Sequence, residues 1–138
     1  MTQATGELVI DTSAVMAMLL QESDAETLID AAVRASVVHL SVASRLELGL
    51  VAEGDRHGLQ AMAVDELLLA LRARLVPFDQ QQLHWALEGW RRYGKGRHPA
   101  ALNLGDCFSY GLARALNAPL LFKGTDFGAT DIAAAHQD

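Results

Sequence analysis

Four acidic residues stand where the surrounding sequence can bring them together. Asp11 closes the apolar run Leu8-Val9-Ile10 and precedes Thr12-Ser13-Ala14. Glu47 lies in Ser44-Arg45-Leu46-Glu47-Leu48, and Asp106 in Asn103-Leu104-Gly105-Asp106-Cys107. Asp126 lies in Lys123-Gly124-Thr125-Asp126-Phe127, just after a second apolar run, Leu120-Leu121-Phe122. Carboxylates gathered without cationic partners suit a hard divalent ion that takes oxygen ligands. Taken singly, each has a plainer use. Asp11 reads as a helix cap, Asp106 as half of a capping box with Asn103, Glu47 as an exposed helix residue and Asp126 as a turn residue. Their conjunction is what points to a site.

Short apolar runs alternating with helical stripes supply the elements that would position these acids. Residues 7–10 read as a buried strand, and Thr12 or Ser13 caps a helix carrying Val15, Met18 and Leu19. Residues 24–35 form a second helix with Leu28, Ala31 and Ala32 on one side. A β-branched run at 37–40 is a second strand. Ser41 then caps a helix through Ala52, with Val42, Leu46 and Leu50 on one stripe. After Gly54 and Gly58, a long helix spaces Leu59, Met62, Ala63, Leu67, Ala70 and Leu71. Residues 75–78 read as a third strand whose Pro77 suits an edge. Asp79 caps a helix with Leu83, Ala86, Leu87 and Trp90 as its buried stripe.

Asn103 caps the next helix, whose apolar face is Leu104, Cys107, Phe108, Gly111, Leu112 and Ala115. Asn103, Asp106 and Tyr110 share an offset side of it. Residues 120–122 are a fourth strand and 132–135 a short fifth. Strands alternating with helices imply an α/β fold, its parallel sheet covered on both faces. In such sheets the functional crevice lies beyond the carboxyl ends of the strands, where strand order reverses. Asp11 and Asp126 share that crevice if their strands are neighbours.

The chain has 138 residues, which suits one domain over 1–138, and 51 % of them are hydrophobic. No apolar run approaches the ~18 residues of a membrane span. Residues 1–7 lack the basic-then-apolar order of a signal peptide. The lone cysteine, Cys107, cannot form an internal disulfide, which agrees with a reducing compartment, so a cytoplasmic protein is expected. The net charge of −6 argues against holding nucleic acid by bulk positive charge. It leaves room for a nuclease with a local basic patch. Arg91, Arg92, Lys95, Arg97 and His98, with Trp90 and Tyr93 interleaved, are candidate RNA-binding residues. They also fit an exposed helix end favoured by the helix dipole. None of the five histidines stands in an obvious acid–base pair, and Cys107 reads as a small core residue.

Four ordered pieces make the chain resemble PIN-domain proteins, and specifically the VapC ribonuclease toxins of bacterial toxin–antitoxin pairs. They are Val9-Ile10-Asp11-Thr12-Ser13-Ala14, Ser44-Arg45-Leu46-Glu47, the stretch from Asn103 to Tyr110, and Phe122-Lys123-Gly124-Thr125-Asp126-Phe127. The run from Tyr93 to Ala100 resembles one branch of that family. The resemblance implies a PIN-like three-layer α/β/α sandwich around a mostly parallel sheet of four to five strands. It implies that Asp11, Glu47, Asp106 and Asp126 hold Mg²⁺ or Mn²⁺ for endonucleolytic RNA cleavage by water. It also implies a homodimer and inhibition by a VapB-like antitoxin. Ser13, Thr125 and Asn103 then become supporting donors, and Asp131 matches a less consistent family acid.

The helices at 24–35 and 42–54 carry more Ala, Val and Leu than one buried face needs. That surplus suits a groove for an amphipathic antitoxin helix, or tight packing on the sheet. Two other readings are a catalytically silent PIN domain that only binds and an acidic-pocket phosphotransfer protein. The second lacks an acid at position 13. A Rossmann dinucleotide site lacks its glycine-rich fingerprint.

Overall fold

A computed structural model describes residues 6–136, so most of the segment read above against a signal peptide lies outside the described residues. The elements are β1 (Leu8–Ile10), α1 (Thr12–Leu19), α2 (Ala25–Arg34), β2 (Val38–Ser41), α3 (Val42–Glu53), α4 (Ala61–Ala70), β3 (Ala73–Val76), α5 (Gln80–Tyr93), α6 (Leu104–Leu116) and β4 (Leu120–Leu121). A 3₁₀ turn follows at Phe127–Ala129. The four strands are parallel in the order β3-β2-β1-β4. The chain moves outward from β1 through β2 to β3, then returns to the other side of β1 for β4. Strand order therefore reverses at β1, and the ends of β1 and β4 are where open α/β sheets place their functional crevice.

Alternation along β1 builds two cores. Leu8 and Ile10 join Leu40 and Leu121 against α1 to α4, through Val15, Leu28, Leu48 and Val64. Val9 points the other way and joins Leu120 against α5 and α6, through Ala86 and Leu112. Helices thus cover both faces, giving the expected three layers with a sheet of four strands. Residues 132–135 do not add a fifth. They make one isolated parallel bridge, Ala134 with Leu120. The third strand starts earlier than expected, at Ala73, and ends before Pro77, on the expected edge. Among the described residues no helix is long and apolar enough to cross a membrane.

Several helices turn a different face inward than their large apolar residues suggest. On α5 the buried residues are Gln82, Ala86, Gly89 and Tyr93, while Leu83, Leu87 and Trp90 are 46 %, 39 % and 39 % exposed. Close packing on α6 is the reason. A Cβ at Gly89 would lie 2.6 Å from Tyr110 Cε1, and one at Gly111 would lie 2.7 Å from the Gln82 carbonyl. Helices that touch through glycine leave their bulky residues elsewhere. On α6, Tyr110 is fully buried and packs against Gly89 in this contact, and Leu104 is exposed. On α4 the buried residues are Val64 and Leu68, and Met62 is exposed. On α3 they are Ser44, Leu48 and Ala52, leaving Val42, Leu46 and Leu50 exposed.

Candidate active site

Asp11 ends β1 and caps α1, so neither Thr12 nor Ser13 is the cap. Its Oδ2 accepts the backbone N–H of Ser13 at 3.0 Å, and its Oδ1 accepts the Ser109 hydroxyl of α6 at 2.5 Å. With only 4 % exposure, this carboxylate is fixed at both oxygens. Ser109 was not marked by sequence reasoning. Its place on α6, three residues past Asp106 and so on the same side, was the available signal. The Ser13 hydroxyl accepts the Lys123 backbone N–H at 3.0 Å, which ties the loop after β4 to the start of α1.

Asp106 occupies the third position of α6 and closes a capping box. Asn103 Oδ1 accepts from the Asp106 N–H at 2.9 Å, and Asp106 Oδ2 accepts from the Asn103 N–H at 3.1 Å. The cap reading and the site reading are therefore both served by one residue. Burial, with the charges of Asp11, Asp126 and Glu47 adding to it, pushes the Asp106 carboxyl up to about 7 against the pull of the Asn103 hydrogen bond. Burial likewise raises Glu47; the Thr12 hydroxyl beside it partly offsets this, and the Asp11 charge adds to it. The mutual repulsion places all four acids in one electrostatic neighbourhood. Asp126 is the exposed member, in the loop before the 3₁₀ turn. That loop is anchored by Lys123, whose Nζ lies 3.1 Å from both Glu22 and Asp24.

None of the four acids has a lysine or arginine partner among the described residues. They do not form a closed cage: no three His, Cys, Asp or Glu side chains among the described residues converge closely enough for that. The donor set is all oxygen, open on the Asp126 side and uncompensated in charge. It fits a hard divalent ion that keeps several of its own waters. The Glu47 carboxylate also lies against Gly105 in space a Cβ would fill, so room for it is built into α6.

The other sequence candidates divide. Asp131 is drawn away into a structural cluster. It accepts the Tyr110 hydroxyl at 2.8 Å, pairs with Arg114, and lies 3.5 Å from Arg92. Thr125 is exposed, and none of the hydrogen bonds among the described residues uses its hydroxyl. Burial, helped by the Asp106 charge, pushes the Cys107 thiol up to about 11, as a core residue and not as a nucleophile.

Arg91, Arg92, Lys95 and Arg97 are all exposed. Arg97 stacks on Trp90, with its guanidinium 4.1 Å from the ring centre. Tyr93 is buried, so it offers no face to a nucleic-acid base. The Lys95 N–H donates to the Leu102 carbonyl at 2.9 Å, and this brings the basic loop back beside the start of α6.

The PIN domain family matches residues 8–133. A ribonuclease VapC of Mycolicibacterium smegmatis is 46 % identical over 129 residues, covering 94 % of this chain and 100 % of that protein. Ribonuclease VapC30 of Mycobacterium tuberculosis is 50 % identical over 127 residues, covering 91 % and 96 %. Among solved structures, M. tuberculosis VapC20, a sarcin–ricin loop cleaving toxin, superposes with a TM-score of 0.70 at 18 % identity, covering 94 % and 99 %. VapBC2 of Rickettsia felis, bound to a promoter DNA fragment, gives 0.69 at 17 %, covering 93 % and 96 %. The family match, and relatives this similar over nearly their whole length, establish that the chain belongs to the PIN-domain family of VapC ribonucleases.

Proposed function

We propose that this protein is a metal-dependent endoribonuclease and the toxin of a VapBC-type toxin–antitoxin pair. The observation that carries the reading is a set of four carboxylates near the ends of β1 and β4 that raise one another's charge cost, with no lysine or arginine partner among the described residues. In this reading Asp11, Glu47, Asp106 and Asp126 hold Mg²⁺ or Mn²⁺. Such an ion supplies a water of lowered pKa and Lewis-acid stabilisation of a phosphodiester. The chain's own groups prepare the place. Ser13 and Ser109 keep the Asp11 oxygens in fixed directions, and Asn103 holds one oxygen of Asp106. Asp126, on the open side, meets substrate or solvent first. Arg91, Arg92, Lys95 and Arg97, all exposed, are the groups offered to RNA phosphates in this reading, with Trp90 as a stacking surface.

Position 13 is Ser13, so Asp11 lacks the second acid that a phosphotransfer pocket would place there. The whole chain, residues 1–138, acts as one domain in the cytoplasm, as a homodimer. The exposed apolar residues Leu46 and Leu50 of α3 support an antitoxin surface there for an amphipathic VapB-like helix. The test is cleavage of a defined RNA pool by purified protein with Mg²⁺, with Mn²⁺ and after chelation. Discrete products that vanish with chelator and return with either ion are expected. Cleavage that survives exhaustive chelation contradicts the reading.

A further inference from the structure

The Glu47 carboxylate lies across the first turn of α6, and Gly105 is the residue beneath it. A Cβ built on Gly105 would stand 2.8 Å from Oε1 and 2.5 Å from Cδ of Glu47, and nearer still to Oε2. These three nearest atoms all belong to the one carboxylate. It therefore occupies volume that any other residue at 105 would take. Gly105 is buried, sits inside α6 and does not use the left-handed backbone region that glycine alone tolerates easily. Alanine would propagate this helix better. The backbone gives no reason for glycine here, and the space above its Cα does.

We propose that Gly105 is a positioning residue whose missing side chain sets where the Glu47 carboxylate stands beside Asp106 and Asp11. This rests on the reading of the crevice as a metal centre. The three glycines within α5 and α6 differ in what they face. Gly89 and Gly111 meet a ring and a backbone carbonyl, so enlarging them strains the fold. Gly105 meets the far end of a flexible side chain, which can swing aside. Enlarging it spares the fold and disturbs the site.

The experiment combines Gly105→Ala and Glu47→Ala singly and together, with Gly111→Ala as the packing comparison. Melting without metal, Mn²⁺ titration calorimetry on the protein alone, and RNA cleavage are the readouts. Gly105→Ala is expected to melt at or above the wild-type temperature while Mn²⁺ affinity falls about tenfold or more. Cleavage should fall with it, and adding Gly105→Ala to Glu47→Ala should cost nothing further. Gly111→Ala should lose melting temperature first.

Wild-type Mn²⁺ affinity in Gly105→Ala overturns the proposal, as does an equal loss in the Glu47→Ala background. If the wild type binds no ion and cuts no RNA, the metal reading fails. The steric claim is then decided by melting alone. A larger gain from Gly105→Ala when Glu47 is absent supports it, and strictly additive changes overturn it. A Gly105→Ala chain that folds only with Glu47→Ala supports it too, and one that folds in neither background counts against it.

Discussion

The four acids near the ends of β1 and β4 and five acids elsewhere are treated in opposite ways. Each of the five has a lysine or arginine within ion-pair distance. Asp131 has Arg114 and Arg92, Glu22 and Asp24 share Lys123, Asp30 faces Arg34 at 3.5 Å, and Asp65 faces Arg45 at 3.0 Å. Among the described residues, Asp11, Glu47 and Asp106 have hydrogen-bond donors and one another's charge, and Asp126 adds its charge to Asp106. Two carboxylates 4 Å apart repel by roughly 1 kcal/mol in water and about 4 kcal/mol at an effective dielectric of 20. This chain has eleven lysines and arginines and places none of them as an ion-pair partner there among the described residues. In the proposed reading, that difference means the inner acids await a charge that comes from outside.

Removing one inner acid should have the largest effect. Asp106→Asn is expected to lower RNA cleavage roughly a hundredfold or more, with the circular dichroism of the folded chain retained. An asparagine side chain still offers an oxygen to the capping box. Removing an outer acid should do the reverse. Asp131→Ala leaves the Tyr110 hydroxyl and Arg114 without their partner. It should cost about 1–3 kcal/mol in denaturant unfolding while cleavage per folded molecule stays at the wild-type level.

The comparison also has a pH signature. The Asp106 carboxyl is raised from an ordinary 3.8 to about 7 in the fold. Between those values the folded chain holds a proton that the unfolded chain has released, so stability falls as pH rises through that window. Melting in chelator should therefore drop from pH 4 towards pH 7, and Asp106→Asn should flatten the drop. Mg²⁺ or Mn²⁺ should restore stability at the upper end, because the ion binds the folded state. The smallest effect is expected from Lys123→Ala. Its two partners are partly exposed, so melting should change little, while cleavage falls a few-fold as the Asp126 loop loosens.

The sequence made the layer order, four strands and four acids readable because each depends on local signals. An apolar run followed by Asp11, or an Asn103–Asp106 pair opening a helix, needs no knowledge of distant residues. What was hidden depended on which residues touch across the fold. The α5–α6 contact runs through Gly89 and Gly111, and a pattern of large apolar residues points away from such a seam. Asp131 matches a less consistent acid of the family, and only the folded chain shows Arg114 and Tyr110 of α6 holding it. Ser109 was hidden for the same reason, since its role exists only once α6 lies against the end of β1.

The most direct test of the central claim is to map new RNA ends across the transcriptome after induced expression in a bacterial host. Wild type is compared with Asp106→Asn at equal soluble levels and without antitoxin. The account predicts sharp new ends in one or a few RNAs for the wild type and none for the variant. The same new ends from both proteins would contradict it, because cleavage would then not depend on the carboxylate at the centre of the crevice.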